Sequence, residues 1–257
     1  MERIYGRLDR IRSTAILGLA SDAALDLYNE HVYEGADRYR PESESFVGVL
    51  YPWEEAAIRD HFPPPPAHLL IGGAGAGREP LALAALGYRV TAFEPVSALA
   101  AAMDQTARAR GLADVATYAA GYQNLPALTS MDGTRELLST LGPFDGSVIG
   151  WGSFSHLRSE AARVHTLRQM SAETRGPVLV SFISVRPEGP PDSGKLRSRL
   201  LRRLRRHPSD RFSMTMGFHH PVNQTEVREL ADAVGLDVVA IDFSSASLAP
   251  HAVLRSR

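Results

Sequence analysis

Residues 67–95, AHLLIGGAGAGREPLALAALGYRVTAFEP, contain the pattern that decides the fold of this chain. The apolar run His68–Ile71 has the length of a buried strand, and glycines follow it closely at positions 72, 73, 75 and 77. Arg78–Leu86 is rich in alanine and leucine, which favour helices, and Tyr88–Phe93 is a second β-type run that ends at Glu94. This order predicts one right-handed βαβ unit, with its glycine loop and its acid at the carboxyl edge of a parallel sheet.

Such a unit indicates a nucleotide-like ligand for physical reasons. Glycine lets the backbone approach a ligand closely because it has no Cβ, and the helix that follows points free N–H groups outward. A carboxylate at Glu94 can accept both hydroxyls of a ribose. The alternative is that the glycines only form a tight turn and that Glu94 only caps a helix. The complete βαβ context favours ligand binding.

The spacing of the glycines distinguishes between classes of nucleotide. The dinucleotide fingerprint G-x-G-x-x-G fails, because a match that begins at Gly73 requires glycine where Arg78 stands. The chain has G-x-G-x-G at 73–77 and an acid, Glu94, at the end of the next strand. With these two motifs it resembles the class I S-adenosylmethionine-dependent methyltransferases.

The resemblance implies a fold, a cofactor and a set of residues. The implied fold is α/β and doubly wound, a mostly parallel seven-stranded sheet with an antiparallel last strand, helices on both faces and an N-terminal helical lid. The implied enzyme is a methyltransferase of class EC 2.1.1, which uses S-adenosyl-L-methionine and releases S-adenosyl-L-homocysteine. The residues implied to bind this cofactor are Gly72, Gly73, Ala74, Gly75, Gly77, Glu94, Pro95, Gly121, Tyr122, Gly150 and Trp151. The chain departs from the family at Ile71 and Gly121, where an acid is frequent.

The rest of the chain continues the alternation of helices and strands. Hydrophobic periodicity and capping residues predict helices at about 22–32, 50–62, 78–86, 96–110, 132–141, 160–173 and 224–234. Strands are predicted at 113–119, 144–150, 178–184, 236–243 and 252–255. Residues 11–19 form either a short helix or a strand, and 212–218 form a short strand or the edge of a lid.

The composition excludes several classes of protein. The chain has 257 residues, of which 28 are basic and 29 acidic, so its net charge of -1 gives no general attraction to nucleic acid. It contains no cysteine, which excludes disulfides, thiolate zinc sites and a cysteine nucleophile. The polar start MERIYGRLDR has no apolar signal-peptide core, and no apolar run is as long as a membrane span. We expect a cytoplasmic protein, and the sequence does not decide whether it forms a homodimer.

Two regions are expected on either side of the first strand. Residues 1–66 are predicted to form an N-terminal helical cap or lid, and residues 67–257 a Rossmann-like methyltransferase domain with a basic insertion at about 186–210. In the lid, the resemblance implies that Tyr28 and Tyr33 face the substrate. The alternative is that these aromatic side chains only pack the lid on the core.

The loop WGSFSHL, residues 151–157, follows the predicted fourth strand and is implied by the resemblance to line the methyl-transfer site. Ser153 and Ser155 are candidate substrate-binding residues, and His156 is a candidate catalytic base because histidine titrates near neutral pH. The alternative for His156 is a satisfied polar contact. The further candidate bases are His219 and His220, of which only one can point inward on an extended backbone. The sequence HHxxN is not a zinc pattern, and no metal site is predicted.

These observations predict transfer of a methyl group to an oxygen or nitrogen of a small-molecule acceptor. The absence of an Asn-Pro-Pro-Tyr motif after the fourth strand argues against methylation of adenine N6. Three alternatives remain open at this point. They are an RNA methyltransferase that uses the basic segment 195–206, a nicotinamide-dependent oxidoreductase, and a non-catalytic module that binds the cofactor.

Overall fold

The structure is a computed structural model that describes residues 12–35, 43, 49–184, 209–244 and 249–257. Its first part is helical, with α1 over residues 12–19, α2 over Asp22–Glu34 and α3 over Pro52–His61. Ser21 caps α2, because its hydroxyl accepts a hydrogen bond from the N–H of Ala24 at 3.2 Å. The undecided segment at 11–19 is therefore helical over its described part, and both helices predicted after it are confirmed.

The remaining elements are helices and strands, in the following order along the chain. The glycine unit and its continuation consist of β1 (His68–Gly72), α4 (Arg78–Ala85), β2 (Arg89–Glu94), α5 (Ser97–Ala109) and β3 (Val115–Ala119). The next part contains β4 (Ala127–Thr129), β5 (Arg135–Leu137), α6 (Leu138–Leu141), β6 (Gly146–Ile149), α7 (Glu160–Ala172) and β7 (Val178–Ser181). The last part contains β8 (Arg211–Ser213), β9 (Gly217–His219), α8 (Gln224–Ala233), β10 (Leu236–Asp242) and β11 (His251–Ser256). Short 3₁₀ turns cover Tyr122–Asn124 and Ser153–His156.

Seven of these strands form one mixed sheet in the order β10-β11-β7-β6-β1-β2-β3. The pairs within β7-β6-β1-β2-β3 are parallel, and β11 runs antiparallel between β7 and β10. The predicted fold class is confirmed, including the inserted antiparallel last strand. Because β1 lies beside both β2 and β6, the loops that follow these three strands meet at one edge of the sheet.

The core lies on both faces of the sheet, as a doubly wound fold requires. Leu69, Leu70 and Ile71 of β1 are all 0% exposed. Leu70 packs into one apolar cluster, whereas Leu69 and Ile71 pack into another, because successive side chains of a strand point to opposite faces. Each such side chain contributes about 1.5–3 kcal/mol through its burial. A continuous apolar run is therefore required in this strand.

One predicted helix is wrong. The segment 132–141 contains β5, which pairs antiparallel with β4, and only Leu138–Leu141 at its end is helical. The turn before β5 is stabilised by Asp132, whose carboxylate accepts the N–H of Thr134 at 2.9 Å, and by Gly133, which has φ +90°. The dipeptide Asp-Gly is a strong hairpin signal, and here it outweighs the helical pattern that follows it.

Helix α2 docks on the β8–β9 hairpin. The Tyr28 ring packs against Phe212 at 5.0 Å between ring centroids, and its hydroxyl donates to the carbonyl of Met214 at 3.1 Å. Arg158 also pairs with Asp26 of α2.

The basic insertion at 186–210 lies almost entirely outside the described residues, as does all of the segment 195–206. The division at residue 66 and the cytoplasmic location stay predictions. Within the described ranges, no helix is both long and apolar enough to cross a bilayer.

Candidate functional site

The glycine loop joins β1 to α4 at the carboxyl edge of the sheet. Gly73, Gly75 and Gly77 have φ values of 64°, 55° and 99°, a backbone region that other residues rarely adopt. A Cβ on Gly73 would lie 2.5 Å from Ser153, so this glycine is required by packing within the protein. A Cβ on Gly75 would meet no atom within 4 Å. The loop therefore presents its backbone at Gly75 to open space, where a ligand can approach it.

Glu94 holds this loop in place from the end of β2. Its two carboxylate oxygens accept the N–H of Gly75 at 2.8 Å and the N–H of Val96 at 3.0 Å. The side chain is only 6% exposed, and burial raises the pKa of Glu94 to about 7, with Glu79 and Glu30 adding to the rise. Each carboxylate oxygen still has a second lone pair, so the group can accept ligand hydroxyls while it holds the loop.

Tyr122, which follows β3, lies in the core beside the glycine loop. Its ring contacts Phe93 edge to face at 5.3 Å, and its hydroxyl lies 2.7 Å from the Ser153 hydroxyl. Ser153 in turn donates to the Gly150 carbonyl at 2.9 Å. Burial raises the pKa of Tyr122, which keeps the phenol neutral. These contacts join the loops after β3 and β6 to strand β2, whereas stacking of Tyr122 on a base stays a prediction.

His156 lies at the end of the loop after β6 and contacts the N-terminal helix α2. Its Nδ1 lies 2.6 Å from the carbonyl of Phe218, and its Nε2 hydrogen-bonds the hydroxyl of Tyr33. Burial lowers the pKa of His156 to about 4, the hydrogen bond to Phe218 opposes this shift, and His219 reinforces it. The imidazole is therefore neutral at pH 7. Tyr33 and His156 were predicted separately, and the structure brings them into direct contact.

His220 has a different environment from His156. It is 0% exposed, with Nδ1 2.8 Å from Asp210 and Nε2 2.9 Å from Glu226, which also pairs with Arg163 at 3.1 Å. Burial alone would lower the pKa of His220, but the bonds to both carboxylates raise it overall. Both ring nitrogens therefore act as donors to protein carboxylates. This geometry gives His220 a structural position, with no nitrogen left to act as a base.

The predicted site residues Ser155 and His219 are also buried or half-buried within the protein. Ser155 is fully buried, and its hydroxyl accepts the N–H of Ile183 at 2.9 Å, so it holds the strand end rather than a substrate. His219 is half-buried, and burial lowers its pKa.

The N–H of Gly121, a predicted cofactor-binding residue, donates to the side chain of Asn124 at 2.8 Å. Within the described part of the chain, no group of three histidine or acidic side chains is arranged to hold a metal ion.

Comparison with solved structures identifies the fold. The CcbJ methyltransferase from Streptomyces caelestis matches 89% of this chain and 97% of its own, with a TM-score of 0.61 at 16% identity. Mitomycin 7-O-methyltransferase MmcR matches 95% of this chain but only 61% of its own length, with a TM-score of 0.52 at 17% identity. A SAM-dependent methyltransferase from Aquifex aeolicus matches 83% of this chain and 93% of its own, with a TM-score of 0.53 at 13% identity. The chain has the methyltransferase fold.

Comparison of the sequence alone with known proteins does not identify this fold. No protein-family model matches the chain, and no curated protein matches it. The methyltransferase fold is nevertheless preserved, because a fold depends on the pattern of buried residues and turns more than on their identities. The G-x-G-x-G loop and Glu94 stand at the ends of β1 and β2 in this fold, as the resemblance implied.

A buried ion cluster that sequence reasoning missed supports the loop of the methyltransferase fold. Arg78, the first residue of α4, pairs with Glu54 at 2.6 Å and with Glu79 at 2.7 Å, and all three side chains are buried. Its guanidinium also lies 4.0 Å from the centroid of the Tyr51 ring, which contacts Trp151 edge to face. An arginine followed by a glutamate at a helix start is the only sequence signal for this cluster.

Trp151 is the exposed aromatic residue of the loop after β6. It is 45% exposed, and its backbone N–H, not the indole, donates to the Glu79 carboxylate at 3.3 Å. The indole is therefore available to a ligand at the edge of the sheet where the methyltransferase fold places the glycine loop. The predicted aromatic wall is present as a surface, and its contact with a cofactor or substrate stays a prediction.

Replacing His156 with glutamine is expected to remove a pH dependence of stability. In the unfolded chain His156 is protonated below its ordinary pKa of about 6.5, whereas in the folded chain it is protonated only below about pH 4. The free energy of unfolding of the wild type therefore falls as the pH drops through this window, by up to about 3 kcal/mol from this group. His156→Gln lacks this contribution.

Urea unfolding of both proteins at pH 7, 5.5 and 4 measures the effect as a difference, in which the other titrating groups cancel. The stability advantage of the wild type over His156→Gln should shrink as the pH falls. A constant difference at all three pH values would contradict a neutral, buried His156.

Proposed function

We propose that this protein is a class I S-adenosylmethionine-dependent methyltransferase that methylates an oxygen or nitrogen of a small-molecule acceptor. The observation that carries the proposal is the pairing of Glu94 with Gly75 at the carboxyl edge of a methyltransferase-fold sheet. The carboxylate holds the loop by two N–H bonds, and the Gly75 backbone faces open space. A ribose diol fits this combination of a carboxylate and an open backbone turn.

The residues that would hold the cofactor are the glycine loop and Glu94. The loop would approach the adenosyl group through its backbone, and Glu94 would accept the ribose hydroxyls. The cofactor, when bound, supplies a methyl group already activated by a positively charged sulfur. The protein therefore has to align donor and acceptor and to exclude water.

Two features support a small acceptor that enters beside the loop after β6. Trp151 offers an exposed aromatic surface at the start of this loop, and Tyr33 with His156 forms a polar pair at its end. One protein of the same fold is named as a mitomycin 7-O-methyltransferase, and another, the N-terminal domain of EvdMO1, was solved with S-adenosylhomocysteine bound. The first name supports methylation of a small molecule and the second supports the cofactor, whereas the net charge of -1 gives no comparable support for RNA.

Calorimetric titration with S-adenosylhomocysteine and with NADH tests the proposal against its main rival. We expect binding of S-adenosylhomocysteine to the wild-type protein and no heat of binding with NADH, because the loop lacks the dinucleotide spacing. Binding of NADH alone would indicate an oxidoreductase. Binding of neither compound would reject the proposed cofactor.

A further inference from the structure

The guanidinium of Arg78 ties the end of the glycine loop to helix α3. Arg78 is the first residue of α4 and directly follows Gly77. Its Nη1 donates to the carbonyl of Val49 at 3.0 Å and to one oxygen of Glu54 at 2.7 Å. Its Nη2 donates to the other oxygen of Glu54 at 2.6 Å and to Glu79 at 2.7 Å. A guanidinium suits this arrangement, because its donors form a rigid planar fork that can bind several acceptors at once.

Two of the groups that Arg78 holds also contact Trp151. Tyr51 directly precedes α3, and the centroid of its ring lies 4.0 Å from the guanidinium carbon of Arg78. The same ring contacts the indole of Trp151 edge to face, at 5.4 Å between centroids. Glu79 accepts the backbone N–H of Trp151 through the oxygen that also binds Arg78. Both contacts of this exposed aromatic residue therefore lead back to Arg78.

The residue before Trp151 lies directly against the glycine loop. The N–H of Gly150 donates to the carbonyl of Gly72 at 2.8 Å. A Cβ on Gly150 would lie 2.7 Å from the carbonyl oxygen of Gly73, so only glycine permits this approach. The backbone at the start of the loop after β6 is thus fixed beside the glycine loop, and the contact with Tyr51 sets where the indole lies.

Arg78 is also the counter-charge of two buried carboxylates. Glu54 is 3% exposed and Glu79 is 5% exposed. Burial raises the pKa of Glu54 to about 7, the hydrogen bond from Arg78 opposes this rise, and the charge of Glu79 adds to it. Without the guanidinium, the two carboxylates would lose the cation that lies between them. We then expect the start of α3 to separate from the start of α4, which would release Tyr51 and Glu79 from Trp151.

We propose that Arg78 is a positioning residue that fixes the indole of Trp151 relative to the glycine loop, and so joins the acceptor side of the proposed site to its cofactor side. This inference rests on the proposed function. Arg78 acts through Tyr51 and Glu79, because its guanidinium is buried and bonded to protein oxygens. Its loss should therefore change both the affinity for the cofactor product and the surroundings of Trp151.

Calorimetric titration of Arg78→Met with S-adenosylhomocysteine tests the cofactor side. Methionine keeps a long side chain but removes the charge and the donors. We expect the affinity to fall by about tenfold, because the loop is no longer held in its binding geometry. Arg78→Lys keeps the charge without the planar fork, so its affinity should lie between those of the wild type and Arg78→Met. If Arg78→Met does not fold, Arg78→Lys provides the same test.

The control for these titrations is Arg163→Met, which removes another buried arginine. Arg163 lies on α7, pairs with Glu226 at 3.1 Å and donates to the carbonyl of Leu157 at the far end of the loop after β6. Its loss should lower stability without changing the affinity for S-adenosylhomocysteine. Circular dichroism establishes that each variant is folded at the temperature of the titration. Unchanged affinity in the folded Arg78 variants, or an equal loss in the control, would overturn the proposal.

The fluorescence of Trp151 tests the acceptor side without any cofactor. The chain has two tryptophans, and Trp53→Phe leaves Trp151 as the only one. In this background, loss of Arg78 should move the emission to longer wavelength and increase quenching by acrylamide, whereas Arg163→Met should change neither. Unchanged quenching in the Arg78 variants would overturn the proposal. Failure of the proposed function appears separately, as an absence of S-adenosylhomocysteine binding to the wild type.

Discussion

Glu94→Ala is expected to weaken the binding of S-adenosylhomocysteine by about 100-fold or more. In the proposed site the substitution would remove the acceptor for two ribose hydroxyls, and hydrogen bonds to a charged group are worth about 1.5–3 kcal/mol each. It also removes the acceptor for the N–H groups of Gly75 and Val96, so the loop loses the group that holds it against β2. Both effects act in the same direction on the affinity for the cofactor product. Isothermal titration calorimetry on the folded variant measures the loss.

The matched control for this variant is Asp60→Ala. Asp60 is an exposed carboxylate on α3 that pairs with its neighbour Arg59, so its replacement also deletes an acidic side chain but does not touch the loop. We expect Asp60→Ala to bind as the wild type does. Circular dichroism establishes that both variants are folded before titration. If Glu94→Ala bound S-adenosylhomocysteine with unchanged affinity, the adenosyl site would have to lie elsewhere and the proposed function would lose its main support.

The sheet could be predicted from the sequence because its signals are local. An apolar run, a glycine loop, a helix and a second strand follow one another within residues 67–95, and each is recognised from a few neighbouring residues. The order and direction of the outer strands then came from the resemblance rather than from any local pattern. The helix predicted over 132–141 was also wrong for a local reason, because the Asp-Gly turn starts a hairpin strand although the residues after it favour a helix.

The polar contacts of the site could not be predicted in the same way, since they join distant parts of the chain. His156 meets Tyr33, which is 123 positions earlier, and Phe218, which is 62 positions later. Its sequence neighbours give no sign of these partners. The sequence does not distinguish His219 from His220, because the alternation of side chains along an extended backbone does not determine which of the two faces inward. Only the hydrogen bonds to Asp210 and Glu226 in the folded chain reveal that His220 is enclosed by carboxylates.

The enclosed cluster around His220 connects three elements on the second half of the sheet. Asp210 precedes β8, Glu226 lies in the first turn of α8, and Arg163 comes from α7. Asp210 and His220 are both 0% exposed. The carboxylate is therefore the direct counter-charge of a buried imidazolium, and no solvent can replace it.

Asp210→Ala is expected to lower the free energy of unfolding by about 3 kcal/mol or more, because breaking a buried ion pair leaves an uncompensated charge. The loss should depend on pH. The folded-state pKa of His220 is raised, so its stabilising contribution is complete below about pH 6.5, the ordinary histidine value, and declines as the pH rises through the folded value. The difference between wild type and Asp210→Ala should accordingly be larger at pH 6 than at pH 9. Urea unfolding at both pH values measures it.

The control for this second variant is Asp232→Ala, which makes the same substitution in an exposed ion pair with Arg257. Its side chain is 67% exposed, so water replaces the lost contact and we expect little measurable change in stability at either pH. A loss in Asp210→Ala no greater than in this control would mean that His220 is neutral and needs no counter-charge. In that case one ring nitrogen of His220 would carry no hydrogen, and its candidacy as a base would have to be considered again.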